Sequence, residues 1–294
     1  MAENVNYEWT WQNPLPQGNA VADVVAFSAS NVFAVGRGGS MFRYNGSTWN
    51  ALPHVSYNDL VGVDGVTSTD MWVVGSGGLI LHYNGTSWLP YTSGTQLWLN
   101  HVDAYSATKA WAVGDAGTIL YFDGTGWSAQ ESHTTQNLIG VHALDPNHVW
   151  AVGIGGTVLF FNGTDWVSQD SHTSNDLGCV LAFDDNNVYA VGANDTLLVY
   201  DGSDWAAKTT GVSGHWRGIT ALSASSIWVV GTETAYPWGG AVAYYDGSDW
   251  TQQTSNSVNT LYATAAADAS HVFAVGGGGD LMFYNGSVWA NQLT

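Results

Sequence analysis

The sequence predicts an all-β fold, a seven-bladed β-propeller with four antiparallel strands per blade, on three observations. First, VWAVGIGGTVLFFNGTDW, residues 149–166, recurs in variant form seven times. The tryptophans that close the copies are Trp49, Trp88, Trp127, Trp166, Trp205, Trp250 and Trp289; they stand 39 residues apart except across Trp205–Trp250, where the spacing is 45. A fixed period over nearly the whole chain marks a repeat architecture. Second, each unit holds four β-rich runs separated by turn signals, without helical periodicity, as a propeller blade does. Third, neither end of the array carries the polar cap an open solenoid needs, and a ring needs none.

The third unit shows how the elements are read, with strands named A (innermost) to D (outermost). Leu99–Tyr105 alternates and forms strand A, followed by a polar turn at Ser106–Lys109. Ala110–Val113 is strand B, the glycine-rich Gly114–Gly117 a turn, and Thr118–Phe122 strand C. Asp123-Gly124 ends strand C, and a D-G or N-G pair predicts a tight type I′ hairpin. Trp127 opens a more polar strand D. The strand B aromatics (Phe33, Trp72, Trp111, Trp150, Tyr189, Trp228, Phe273) and the closing tryptophans are expected to fill the taper between blades.

The chain reads as one domain, 1–294, with repeats at about 21–59, 60–98, 99–137, 138–176, 177–215, 216–260 and 261–294. Residues 1–20 contain WTWQNPLPQG, which resembles a D strand and is expected at the seam between blades 7 and 1.

Five Lys+Arg against 24 Asp+Glu, a formal charge of −19, leave no basic face. Nucleic acid and anionic membranes, both read by clustered cations, are therefore poor partners. No apolar run is long enough for a membrane span, and no signal peptide precedes the repeats. Sparse lysine and strong acidity favour a secreted or cell-surface protein, with the cytoplasm as the alternative. The single cysteine, Cys179, lies in an apolar run and reads as a buried thiol.

The end of the ring that carries the B–C and D–A loops is where the repeats disagree. Blade 6 carries an insertion, Thr232–Gly240, opposite the D–A segment Ser213–Gly218. Together these predict a ligand-binding patch of His215, Trp216, Arg217, Glu233, Tyr236 and Trp238, whose rings and charges suit a sugar or a peptide side chain. A second candidate lies on strand A, where Asp64, Asp103 and His142 share one repeat position and offer oxygen and nitrogen ligands to a metal. The other end gathers eleven of the twenty aspartates in A–B and C–D turns; this suits turn chemistry, with weak Ca²⁺ binding as the sharper alternative. No loop has the D-x-[DN]-x-[DN]-G pattern. His133 and His172 share a polar loop position that reads as inherited repetition. No nucleophile motif is present, and Arg37, Arg43 and Arg217, the only arginines, cannot readily converge as the carboxylate clamp of a sialidase would require.

The Y-[ND]-G-[ST]-x-W turn following V-W-A-V-G-x-G-G-T resembles bacterial BNR/Asp-box propellers, including photosystem II assembly-factor-like repeat proteins, over nearly the whole chain. The turn is one residue shorter than an Asp box. The D-G-S-x-W element is also similar to that of fucose-binding seven-bladed lectins, although strands A and B differ. The resemblance implies the ring and no catalytic residue. The expectation is a non-enzymatic propeller without a required cofactor that binds carbohydrate through its loop face. A protein-interaction scaffold or extracellular structural domain is the alternative, and a sialidase-like glycoside hydrolase stands third.

Overall fold

The computed structural model describes residues 18–235 and 238–292. Each repeat folds into its own four-stranded antiparallel sheet, in simple sequential order, seven times. The inner strands are Val21–Ser28, Leu60–Thr67, Leu99–Ser106, Leu138–Asp145, Leu177–Asp184, His215–Ser223 and Leu261–Asp268. In blade 3, strands B to D run Lys109–Gly114, Ile119–Phe122 and Trp127–Gln130, within a residue of the sequence reading. Blade 7 supplies its own outer strand, Trp289–Asn291, and the expected N-terminal seam strand lies outside the described residues.

Two faces of each sheet must be buried, so the core lies between blades. Between blades 4 and 5, Trp150, Val152, Leu177, Val180, Leu198 and Trp205 form one cluster. Six of the seven strand B aromatics are buried, and Tyr189 is half-buried. Four closing tryptophans are buried, while Trp88, Trp127 and Trp250 are half-buried at the wider rim. Some of these indoles also tie blades together. Trp166, Trp205 and Trp289 donate their Nε1–H to Gln130, Gln169 and Gln253 at the outer edge of the preceding blade, at 2.9, 2.8 and 2.7 Å.

The C–D connection departs from the sequence expectation. It is a four-residue loop in which Tyr44 pairs with Trp49, and a type I′ turn would need positive φ at both central residues. Only the glycine has it, as at Gly46 (φ 97°). The preceding Asn or Asp closes the loop with its side chain: Asn45 Oδ1 accepts from the backbone N–H of Ser47 and Thr48 at 3.0 and 2.9 Å. Asp201 does the same with Ser203 and Asp204 at 2.9 and 3.0 Å. The side-chain oxygen thus takes up two loop donors that a two-residue turn would not have.

Every inner strand is bulged near its start, where it meets strand B. In blade 6 the register jumps between Trp216 and Gly218, and in blade 7 between Leu261 and Ala263. The skipped residues, Arg217 and Tyr262, are thereby turned away from the sheet, as bulges re-aim side chains.

Two measurements test this account. Replacing Trp150 with Ala should lower unfolding stability by about 3–5 kcal/mol in denaturant titration. Gln169→Ala should cost about 1–3 kcal/mol, because the buried Trp205 N–H loses its acceptor.

Candidate functional site

The seven inner strands enclose a central channel of about 770 Å³. Its walls follow from one repeat column: Asp23, Gly62, His101, Gly140, Cys179, Gly218 and Ala263. Side chain and glycine alternate, and each side chain reaches over the neighbouring glycine. Asp23 Oδ2 accepts from the Val63 N–H at 2.8 Å, and His101 Nδ1 faces the Val141 N–H at 3.5 Å. The glycines are required sterically. A Cβ on Gly62 would lie 3.0 Å from the His101 Cα, and one on Gly218 2.9 Å from the Ala263 Cα.

The next inward column holds the proposed metal ligands, and the structure gives them another role. Asp64 Oδ2 accepts from the Ala104 N–H at 2.7 Å. His142 lies between Asp103 Oδ2, 3.1 Å from Nδ1, and the Ala182 carbonyl, 3.2 Å from Nε2. With a carboxylate on one nitrogen and a carbonyl on the other, the imidazole satisfies both only as a cation, and neither nitrogen keeps a lone pair for a metal. Among the described residues no group of three His, Cys, Asp or Glu is placed to hold a metal ion. The column is a hydrogen-bonded chain between blades.

These groups titrate abnormally. Burial, reinforced by the charge of Asp103, pushes Asp64 up to about 8. Burial raises Asp23 against the opposing pull of His101 and of two backbone donors. For His142 burial acts downward, but the hydrogen bond and charge of Asp103 outweigh it and the net shift is upward. Burial pushes the Cys179 thiol, half-buried on the channel wall, up to about 11, so it stays protonated at neutral pH.

The predicted blade 6 patch divides. Trp216 is 1 % exposed, because it occupies the repeat position filled by Val21 or Leu in the other blades and packs with Val191, Leu197 and Ile219. It is a core residue, and comparison of the inner-strand columns would have revealed this. His215 Nδ1 accepts from the Asn194 N–H at 3.0 Å and braces the blade 5 loop. Arg217 lines the channel with its guanidinium 5.8 Å from the Tyr262 ring centroid. Glu233 and Trp238 border a separate rim groove, and Tyr236 lies outside the described residues. The five described residues do not form one site.

What the sequence reading did not assemble is the channel mouth on the loop-bearing end. Arg37, Asp59, Trp98, Asn100, Arg217 and Tyr262 all line the cavity there. Arg37 and Arg217 are exposed, and among the described residues neither forms an ion pair. Asp59 is engaged elsewhere, its Oδ1 accepting from the Gly38 N–H at 2.8 Å. On the D–A connections of the same end, Tyr57 is 88 % exposed and stacked on His54, and Val55, Leu97 and Trp98 are exposed as well. The available signal was that Asn100, Arg217 and Tyr262 share the bulge column.

On the opposite face several of the aspartates are occupied by their turns. Asp145 accepts from the N–H of Asn147 and His148, and Asp268 from that of Ser270. The hydrogen bond from His271 and those from Ser270 hold Asp268 down at about 2.

No protein-family model and no curated protein sequence matches the chain. Solved structures do. YCF48 bound to D1 peptide superposes with a TM-score of 0.72 at 18% identity, covering 94% of this chain and 98% of that one. YCF48 from Cyanidioschyzon merolae gives 0.73 at 16% identity, with the same coverage. The WD40 propeller domain of Doa1 gives 0.76 at 14% identity, covering 91% and 93%. The GH74 enzyme of Niastella koreensis gives 0.74 at 14% identity, but only 55% of that chain is covered.

The channel groups predict a pH dependence. A group with a raised native pKa contributes stability that is complete below its unfolded value and declines until its native value is passed. For Asp64 that decline runs from 3.8 to about 8. His142 adds to it above 6.5. The carboxylates held low, such as Asp268, act only in acid, between their unfolded value and about 2. Thermal unfolding followed between pH 5 and 8.5 should therefore show falling Tm, and Asp64→Asn should flatten the slope. An unchanged slope in that variant would refute the assignment.

The fold and its match to the YCF48 propellers, consistent with the assembly-factor-like repeat pattern, make this chain a seven-bladed β-propeller in which every blade is built from one contiguous repeat.

Proposed function

We propose that the ring is a non-enzymatic protein-interaction scaffold that takes a carboxylate-bearing polypeptide segment at the channel mouth of its loop face. The observation that carries this reading is the pair Arg37 and Arg217. In a chain with five Lys+Arg and a net charge of −19, two cations stand at one opening without a carboxylate partner among the described residues. Guanidinium groups suit carboxylates through paired N–H donors. The negative charge elsewhere does not forbid the approach, since salt screens exposed charges beyond about 8 Å at physiological ionic strength. The exposed Tyr57, Leu97 and Trp98 provide apolar surface for the side chains that flank the carboxylate. The comparisons support a scaffold over the carbohydrate reading, since one neighbour is a YCF48 structure with a bound peptide and another is a WD40 domain.

Screening against arrayed peptides, each with a free or an amidated C-terminus and with acidic or amide side chains, tests the reading. Selected peptides should depend on a carboxylate, and Arg37→Ala/Arg217→Ala should weaken them at least about tenfold. Binding indifferent to both changes would refute it.

A further inference from the structure

The six extra residues of the sixth repeat build something no other blade has. Strands Ser226–Thr232 and Gly240–Tyr245 run longer than their counterparts, and Glu233, Trp238 and Gly239 between them border one cavity with Gln252 and Thr254 of the outer strand, Trp250–Thr254. The result is a groove of about 250 Å³ on the rim of the loop-bearing end, away from the channel. Its base is fixed. The Glu233 N–H donates to the Gly239 carbonyl at 2.9 Å, the Gly240 N–H to the Ser257 carbonyl at 3.0 Å, and Ser255 Oγ to the Gly240 carbonyl at 2.5 Å. The approach is close enough that a Cβ on Gly239 would meet the Ser257 carbonyl at 2.6 Å.

The lining combines an aromatic face with uncommitted polar groups. Trp238 is 67 % exposed and Val258 81 % exposed. Glu233, Gln252, Thr254 and Asn256 complete the walls, and among the described residues none of these four side chains holds a hydrogen bond. The groove holds no lysine or arginine and includes a carboxylate, so an anion is disfavoured. An apolar side chain would cover the polar groups without giving them partners, which is costly. A cyclic polyol offers both a hydroxyl for each and a C–H face for the indole.

We propose that this groove binds a single pyranose ring of a neutral sugar, with Trp238 as the stacking platform and Glu233, Gln252, Thr254 and Asn256 as the hydroxyl partners. The site does not depend on the channel mouth. It also replaces the patch expected from sequence, retaining only Glu233 and Trp238.

Saturation-transfer NMR with a panel of methyl pyranosides (gluco, galacto, manno and N-acetylglucosaminide) tests the proposal. At least one should give a saturable signal that Trp238→Ala abolishes and Trp238→Phe retains. Gln252→Ala/Asn256→Ala should weaken binding at least about tenfold. The replaced side chains are exposed, so thermal unfolding of each variant should match the parent. Arg37→Ala/Arg217→Ala should leave the sugar signal intact, which separates this site from the peptide-binding reading. Absence of a saturable signal from every glycoside, or an equal signal in Trp238→Ala, would overturn it.

Discussion

Crowding at the axis governs this molecule. Seven wedge-shaped sheets converge, and their inner strands come so near that a Cβ at Gly62, Gly140 or Gly218 would lie 3.0, 3.0 or 2.9 Å from the next blade's backbone. Glycine at alternate blades admits the approach, and Asp23, His101 and Cys179 at the others span it. With seven blades the alternation cannot close, and the last position is Ala263. Farther from the axis, the junction of blades 7 and 1 is filled by Tyr44, Trp49, Phe273 and Phe283, with Tyr44 5.3 Å from Phe273.

The same crowding sets the chemistry of the channel. Side chains on the inner wall lose water, so burial pushes Asp64 up to about 8, whereas for His142 burial acts downward and is outweighed chiefly by the hydrogen bond and charge of Asp103. In the outer turns Asp123, Asp201 and Asp246 each accept from two backbone N–H groups, and hydrogen bonding holds all three below the usual carboxylate range. The chain carries eleven of its twenty aspartates on the exposed turns of the end opposite the mouth. Against that background two arginines at the mouth stand out, and bulging of the inner strand is what turns Arg217 toward the opening.

Repetition leaves variation only to the loops. The aromatic wedges and side-chain-closed turns are uniform because each blade must fit two neighbours. The loop-bearing end has no such obligation, and there the blades differ in charge, in exposed rings and in the one insertion. A scaffold of this kind presents distinct surfaces from equivalent positions, the mouth in blades 1, 3, 6 and 7 and the rim groove in blade 6.

By itself the sequence determined the ring, its seven blades, four strands each, and the residues that wedge them. Those properties repeat, and periodicity survives in one dimension: the tryptophan spacing, the alternation of strand A and the N-G or D-G turn are all local. It also located the blade 6 insertion as exceptional. Only the tertiary structure decided which side chains face solvent. Trp216 lies beside Arg217 in the chain, yet one is core and the other lines the mouth, because Arg217 is the bulged residue and is turned out of the sheet. Asp64, Asp103 and His142 share a column, but whether they converge on an ion or bond backbone depends on distances between blades, which the repeat period does not encode. The mouth itself joins residues from positions 37 to 262, and their meeting is a property of ring closure alone.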